Sequence, residues 1–168
     1  MKKHLLESAV LRPAKTPAAN VLAGLVLLFL ATPAAADAAY EASIYRSLKA
    51  VEIRINEALK ARNLTSLRRQ ADKLGLVVDR AFARRERDRT KLSDCEKASA
   101  FLDHIAIYAE RGFFYKKQGS EFGQIVLDGI DREIENYTGA MRSCERLLEL
   151  PQTERPPFAR SLKGPSDE

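Results

Sequence analysis

The chain has 168 residues, of which 45% are hydrophobic and 30% are charged, a composition that is ordinary for one globular domain. Its formal net charge is +5, but the first 36 residues contribute four basic side chains and one acidic one. Without them Lys+Arg falls from 28 to 24 and Asp+Glu from 23 to 22, which leaves a charge of +2. So small an excess argues against a nucleic-acid-binding protein.

The N-terminal segment, residues 1–36, has the pattern of a cleavable signal peptide. A basic start precedes the apolar run Val21–Ala31, and Ala34 and Ala36 are the small residues that signal peptidase requires. The run is about 11 residues long, against the roughly 20 that span a bilayer, so we expect cleavage after Ala36 and no transmembrane segment in the mature chain. The sequence therefore predicts a periplasmic or extracellular protein.

The residues that follow are predicted to form amphipathic helices. No proline occurs from Asp37 to Leu150, and apolar residues recur at helical spacing. The first helix is predicted over about 39–62 and the second over about 66–89, with Asn63 or Thr65 as the N-cap between them. The predicted apolar stripes are Ile44, Leu48, Val51, Ile55 and Leu59 on the first helix, and Leu67, Leu74, Val78 and Phe82 on the second.

Capping residues mark both ends of a third helix. Ser93 and Glu96 have the spacing of a capping box, in which each side chain accepts a hydrogen bond from the other residue's backbone N–H. Gly119 suits the left-handed position that ends a helix. Ser120 is the predicted N-cap of a fourth helix that runs to about Leu150, and the proline-rich segment 151–168 is predicted to be a disordered tail.

A hairpin that turns at Gly119 brings the only two cysteines together. In the antiparallel register Cys95 faces Cys144, and the pairs below them, such as Ala98 and Met141, form a continuous apolar seam. An exported protein meets an oxidising environment, so we predict a disulfide rather than a redox-active or metal-binding pair. Closing a loop of about 50 residues stabilises a fold by roughly 4 kcal/mol in the chain-entropy treatment.

The predicted fold class is therefore all-α. Residues 37–150 are expected to form a four-helix up-down-up-down bundle of two antiparallel helical hairpins, of which the second is clasped by the disulfide. An elongated arrangement of the two hairpins, completed by a homodimer, is the alternative.

The histidine of the mature chain, His104, is the candidate for catalysis. The hairpin register places Glu135 opposite it, and a His–Glu pair can act as a general base with its orienting group. No nucleophile or further acid converges on this pair by spacing, and one histidine with scattered carboxylates does not make a metal site. We therefore predict no enzymatic activity, no metal and no cofactor.

Two other groups of residues are candidates for contact with a partner. The first is a basic run near the end of the second helix, which could contact an anionic surface: Arg80, Arg84, Arg85, Arg87 and Arg89. The second is a set of aromatic residues on the third helix and at the tip of the hairpin, which could contact a partner or a ligand: Phe113, Phe114, Tyr115, Phe122, His104 and Tyr108. Phe113 and Phe122 fit the apolar seam, and Phe114 does not.

The stretch NLTSLRRQ resembles the L-T-x-x-Q motif of periplasmic helical stress chaperones at Leu64 and Thr65, and departs from it at Arg68, where the motif has Gln. This two-residue match does not assign the chain to that family. We predict a non-enzymatic exported protein that acts through protein–protein or cell-envelope contacts. The alternatives are a carrier that holds a small apolar ligand in the bundle core beside His104, Tyr108 and Tyr137, and a periplasmic helical chaperone-like protein.

Overall fold

The computed structural model describes residues 33–152 and Phe158, and in this part of the chain the secondary structure is entirely helical. The helices are α1 (Pro33–Lys60), α2 (Leu64–Asp88), α3 (Asp94–Lys117), α4 (Phe122–Asp128) and α5 (Ile130–Leu147). Residues 1–32, with most of the predicted signal peptide, lie outside the described residues. So does the predicted tail, apart from residues 151, 152 and 158.

The helices form one bundle with α3 at its centre. α3 packs against α1, α2, α4 and α5, so the first hairpin packs on a helix of the second and the elongated alternative is excluded. The loop between α1 and α2 and the loop between α3 and α4 lie at the same end, where Arg62 stacks on the ring of Phe113. The start of α1 lies at the other end, where Tyr40 donates a hydrogen bond to Glu96. The up-down-up-down prediction is confirmed.

Local capping explains where α2 and α3 begin. The side chain of Asn63 accepts a hydrogen bond from the backbone N–H of Ser66 at 3.0 Å. Ser93 Oγ accepts from the N–H of Glu96 at 3.1 Å, and the Glu96 carboxylate accepts from the N–H of Ser93 at 2.8 Å, which is the predicted capping box. Such caps contribute about 1 kcal/mol each. Gly119, after α3, has the positive φ of 73° that favours glycine.

The disulfide and the seam of the α3–α5 hairpin are also confirmed. Cys95 and Cys144 are bonded, with their Cα atoms 4.8 Å apart. The two helices bury one continuous apolar surface below the bond. Its fully buried members are Ala98, Leu102, Ile105 and Ala109 from α3, with Ile130, Tyr137 and Met141 from α5.

The last predicted helix is broken in two, which the sequence pattern did not indicate. α4 ends at Asp128 and α5 begins at Ile130, with Gly129 between them. Glycine is a poor helix former, and here it separates two segments whose apolar positions keep the same spacing. Ser120 was also predicted wrongly as the N-cap. Glu121 occupies that position without a side-chain cap, and Ser120 accepts the N–H of Gly123 through its backbone carbonyl.

Two glycines allow α4 to lie directly on α3. A Cβ atom added at Gly123 would be 2.6 Å from the backbone N of Lys116 and 2.8 Å from the carbonyl of Gly112. A Cβ atom added at Gly112 would be 2.6 Å from the side chain of Leu127. The backbones can approach this closely only because neither residue has a side chain.

The core differs from the predicted stripes at a few positions. Phe82 is 41% exposed and Val78 is half-buried, while Ala81 takes the inward position near the end of α2. Phe122 was predicted in the seam but is 52% exposed. In the opposite direction, Phe158 belongs to the segment predicted as a disordered tail, yet it is 1% exposed and packs edge-on against the ring of Tyr137.

Candidate functional site

The structure corrects the predicted His–Glu pair. His104 Nδ1 lies 3.4 Å from Glu133 Oε2, whereas Glu135 is exposed to solvent. Residues 133 and 135 are about 200° apart around a helix, and His104 lies on the flank of α3 that faces Glu133. The imidazole stacks on Tyr108 with 5.8 Å between ring centroids. The pair is partly exposed, with 48% of the His104 side chain and 17% of the Glu133 side chain accessible to solvent.

The acidic and sulfur-containing side chains do not offer a metal centre in the part of the chain that the structure describes. Over residues 37–152 no three His, Cys, Asp or Glu residues are grouped so that they could hold a metal ion. The two cysteine sulfurs are bonded to each other. That the protein needs no metal or cofactor stays a prediction.

The predicted basic run does not form one exposed surface, because Arg84 turns into the bundle. Its guanidinium lies 3.5 Å from Glu96, 3.9 Å from Glu41 and 3.6 Å from Asp37, and it covers the ring of Tyr40 at 4.6 Å. Arg84 therefore joins α2 to α1 and α3 and is not available for an external anion. Sequence reasoning missed this role, since the partners are more than ten residues away along the chain.

The remaining arginines of that run are exposed, and acidic neighbours neutralise part of their charge. Arg87 forms an ion pair with the adjacent Asp88 at 2.8 Å. Arg80, Arg85 and Arg89 are exposed. This end of α2 presents Phe82 as its exposed aromatic side chain.

Burial changes the acidity of one carboxyl in the network of Arg84. Glu41 is almost completely buried, and this burial raises the pKa of its carboxyl above the usual value. Nearby Glu96 adds to the effect, while the 2.7 Å hydrogen bond that Ser93 Oγ donates to Glu41 and the charge of Arg84 act in the opposite direction. The network connects three helices.

The aromatic residues near the α3–α4 loop form an exposed patch. Phe114 is 44% exposed, and its neighbour Tyr115 contacts both Phe114 and Phe122 edge-on, with ring centroids 5.6 and 5.3 Å apart. Ile125, one turn further along α4, is 65% exposed. We call these four residues, Phe114, Tyr115, Phe122 and Ile125, the aromatic patch. Phe113, which was predicted with them, is buried instead.

Four cationic side chains surround the same end of the bundle and are called the basic rim: Lys60, Arg62, Lys116 and Lys117. All four are exposed, and within the described residues none of them forms an ion pair. Arg62, Lys116 and Lys117 line a cavity of about 660 Å³ beside Phe113. Two carboxylates, Glu57 and Glu121, lie in the adjoining turns. Together with the four cations they give this group of six residues a net charge of +2.

A second groove, of about 450 Å³, lies between α3 and the α4–α5 break. It is lined by Tyr108, Arg111, Tyr115, Phe122, Ile125, Val126 and Gly129. The structure thus brings three of the predicted contact residues, Tyr108, Tyr115 and Phe122, to one place. The basic rim was not predicted as a contact surface, although Lys116 and Lys117 stand next to the aromatic run in the sequence.

Comparisons with known proteins give no further information, because no known family, characterised protein or solved structure matches this chain. Among the described helices, none has the length and hydropathy that crossing a bilayer requires.

Proposed function

We propose that this protein is exported and works without catalysis, by docking the loop end of its bundle on another component of the cell envelope. The observation that carries the proposal is the combination, at one end, of an exposed aromatic patch and a basic rim without ion pairs. Exposed apolar groups that lie together on a folded surface usually mark an interaction site. The charged groups beside them give such a contact its orientation.

Export is supported by two independent features. Residues 1–36 have the order of basic, apolar and small residues that a signal peptide needs. The bond between Cys95 and Cys144 is of a kind that persists in oxidising compartments. Mass spectrometry of the protein recovered from the exported fraction, without reductant, tests both. We expect a chain that begins at Asp37 and lacks the two hydrogens of free thiols; an intact N-terminus in the cytoplasmic fraction would refute the proposal.

Photo-crosslinking tests the docking surface. A photoreactive phenylalanine analogue at position 122 lies in the aromatic patch, and the same analogue at position 82 is the matched control, because Phe82 is a similarly exposed phenylalanine at the opposite end. We expect a reproducible envelope adduct from position 122 and none from position 82. Equal labelling from both positions, or none from position 122, would contradict docking through the loop end.

A carrier of small apolar ligands is the second candidate, and the groove beside Tyr108 favours it. Of the residues predicted to line a core site, His104 is exposed and Tyr137 is buried against Phe158. The groove lined by Tyr108, Tyr115 and Phe122 offers an alternative place for such a ligand. An added non-covalent mass in native mass spectrometry, lost on Tyr108→Ala, would favour the carrier. The chaperone-like alternative rests on Leu64 and Thr65 alone and stays untested.

A further inference from the structure

We propose that the component on which the loop end docks is a bilayer surface rich in anionic lipids. This inference rests on the proposed function and names its partner. Lipid headgroups supply the negative charge that the basic rim meets. The aromatic patch contacts the apolar part of the bilayer interface.

The charges of the basic rim favour this partner. Lys60 and Arg62 come from the end of α1 and its loop, while Lys116 and Lys117 come from the end of α3. Both helix ends lie at the same end of the bundle, so one plane can meet all four cations. Each basic side chain near an anionic bilayer increases binding about fivefold, and the increments multiply. Glu57 and Glu121 oppose this attraction and reduce its total.

The aromatic patch provides the second part of the contact. Phe114, Phe122 and Ile125 project apolar surface at the same end as the basic rim. Apolar side chains beside lysine and arginine are the combination by which proteins settle into the boundary between headgroups and acyl chains. An acidic protein partner would neutralise the cations but would also need an apolar surface beside its carboxylates, whereas a bilayer offers both layers everywhere.

The opposite end of the bundle is a weaker candidate for the same role. Its arginines alternate with Asp79, Glu86 and Asp88, Arg87 is already paired, and Arg84 is held inside by Glu96. This end therefore provides the matched control. Arg80 and Arg85 are exposed and lie on α2, so their removal changes the protein's charge as much as the removal of Lys116 and Lys117.

The test is co-sedimentation of the oxidised mature protein with vesicles of phosphatidylcholine alone or with one quarter phosphatidylglycerol. We expect binding to the anionic vesicles, with a steep loss when salt is raised from about 0.05 M to 0.5 M. Lys116→Gln with Lys117→Gln should weaken binding about 25-fold, while Arg80→Gln with Arg85→Gln should leave it within about twofold. Phe122→Ser should weaken binding further than Phe82→Ser. Circular dichroism of each variant confirms that the fold is retained.

Three results would overturn the inference: no binding to anionic vesicles, equal binding to neutral and anionic vesicles, or an equal loss in the control pair and the Lys116/Lys117 pair. Its failure can be distinguished from failure of the proposed function. If vesicles are not bound but position 122 crosslinks specifically to a protein, the lipid inference is wrong and docking through the loop end stands. If neither vesicles nor a crosslinked protein is found, both are wrong.

Discussion

Arg84 Nε lies 3.5 Å from Glu96 Oε1, so a side chain near the end of α2 contacts the residue that closes the capping box of α3. The same carboxylate accepts a hydrogen bond from the hydroxyl of Tyr40 on α1. One buried carboxylate thus connects three helices at the disulfide end of the bundle. The contacts of this carboxylate are polar, whereas the seam below it is apolar.

Replacing Arg84 by Ala should destabilise the fold by about 1–3 kcal/mol. The loss leaves Glu96 and Glu41 buried without their cation, which is costly, although partial exposure of the guanidinium reduces the effect. Urea unfolding measures the difference. Arg85→Ala is the control, since Arg85 is exposed and should change stability by less than about 0.5 kcal/mol. Equal effects of the two substitutions would show that the network does not stabilise the fold.

The raised pKa of Glu41 predicts a definite pH dependence. In the folded state this carboxyl binds its proton more tightly than in the unfolded state, where its pKa is near the ordinary value of 4.5. Its contribution to the free energy of unfolding is therefore fully present below that value and decreases as the pH rises through the folded-state pKa. The Glu41→Gln variant has no titrating carboxyl at this position, so its stability lacks this contribution to the pH dependence.

Urea titrations of the wild type and of Glu41→Gln at acidic and neutral pH test this dependence. The wild type should lose stability relative to the variant between the two conditions, and other titrating groups cancel in the difference. A relative gain by the wild type at neutral pH would mean that Arg84 and Ser93 outweigh the burial of Glu41.

Gly123→Ala should destabilise the fold by about 1–3 kcal/mol, because the new methyl group meets the backbone of Lys116 and Gly112, which cannot move aside as a flexible side chain can. Gly139→Ala, on α5, is the matched control. No atom lies within 4 Å of its added Cβ, so alanine should stabilise that helix by up to about 1 kcal/mol. Thermal unfolding of both variants gives the signs directly. If Gly123→Ala stabilised the fold, as Gly139→Ala should, α4 would not lie closely on α3 in solution.

Phe158→Ala should cost about 3–5 kcal/mol, the usual loss for a buried phenylalanine. Its ring is covered almost completely and packs on Tyr137. Phe82→Ala removes a phenylalanine that is 41% exposed and should cost much less. Chemical denaturation of the two variants compares them. Should Phe158→Ala behave like Phe82→Ala, the last segment of the chain would be dispensable for stability.

The features of the bundle that depend on local signals were predicted from the sequence, and those that depend on other features were missed. The capping box at Ser93, the left-handed Gly119 and the facing cysteines depend on residues within a turn or on one hairpin register, and all three are confirmed. The break at Gly129 was missed because the apolar spacing continues across it. Phe158 was missed because the polar, proline-rich residues around it dominate the composition of that segment.

The candidate site could likewise be predicted only in part from the sequence. The exposure of Phe114 follows from its position outside the apolar stripe, and it was predicted. The inward turn of Arg84 depends on carboxylates brought by two other helices, which no spacing along α2 reveals. The convergence of Arg62 with Lys116 and Lys117 likewise requires both loops to lie at one end, and this is settled only when the two hairpins pack together.

The bond between Cys95 and Cys144 also makes residues 95–144 a closed covalent ring, with the α3–α4 loop as one arc of it. A protease that cut one peptide bond in the exposed loop residues 118–121 would open this ring without dividing the molecule. α4 and α5 would stay attached to α3, and their buried seam would hold them in register. At the end that we propose to meet other surfaces, the α3–α4 loop can therefore survive a cut, whereas a cut in the α1–α2 loop, outside the ring, would divide the chain.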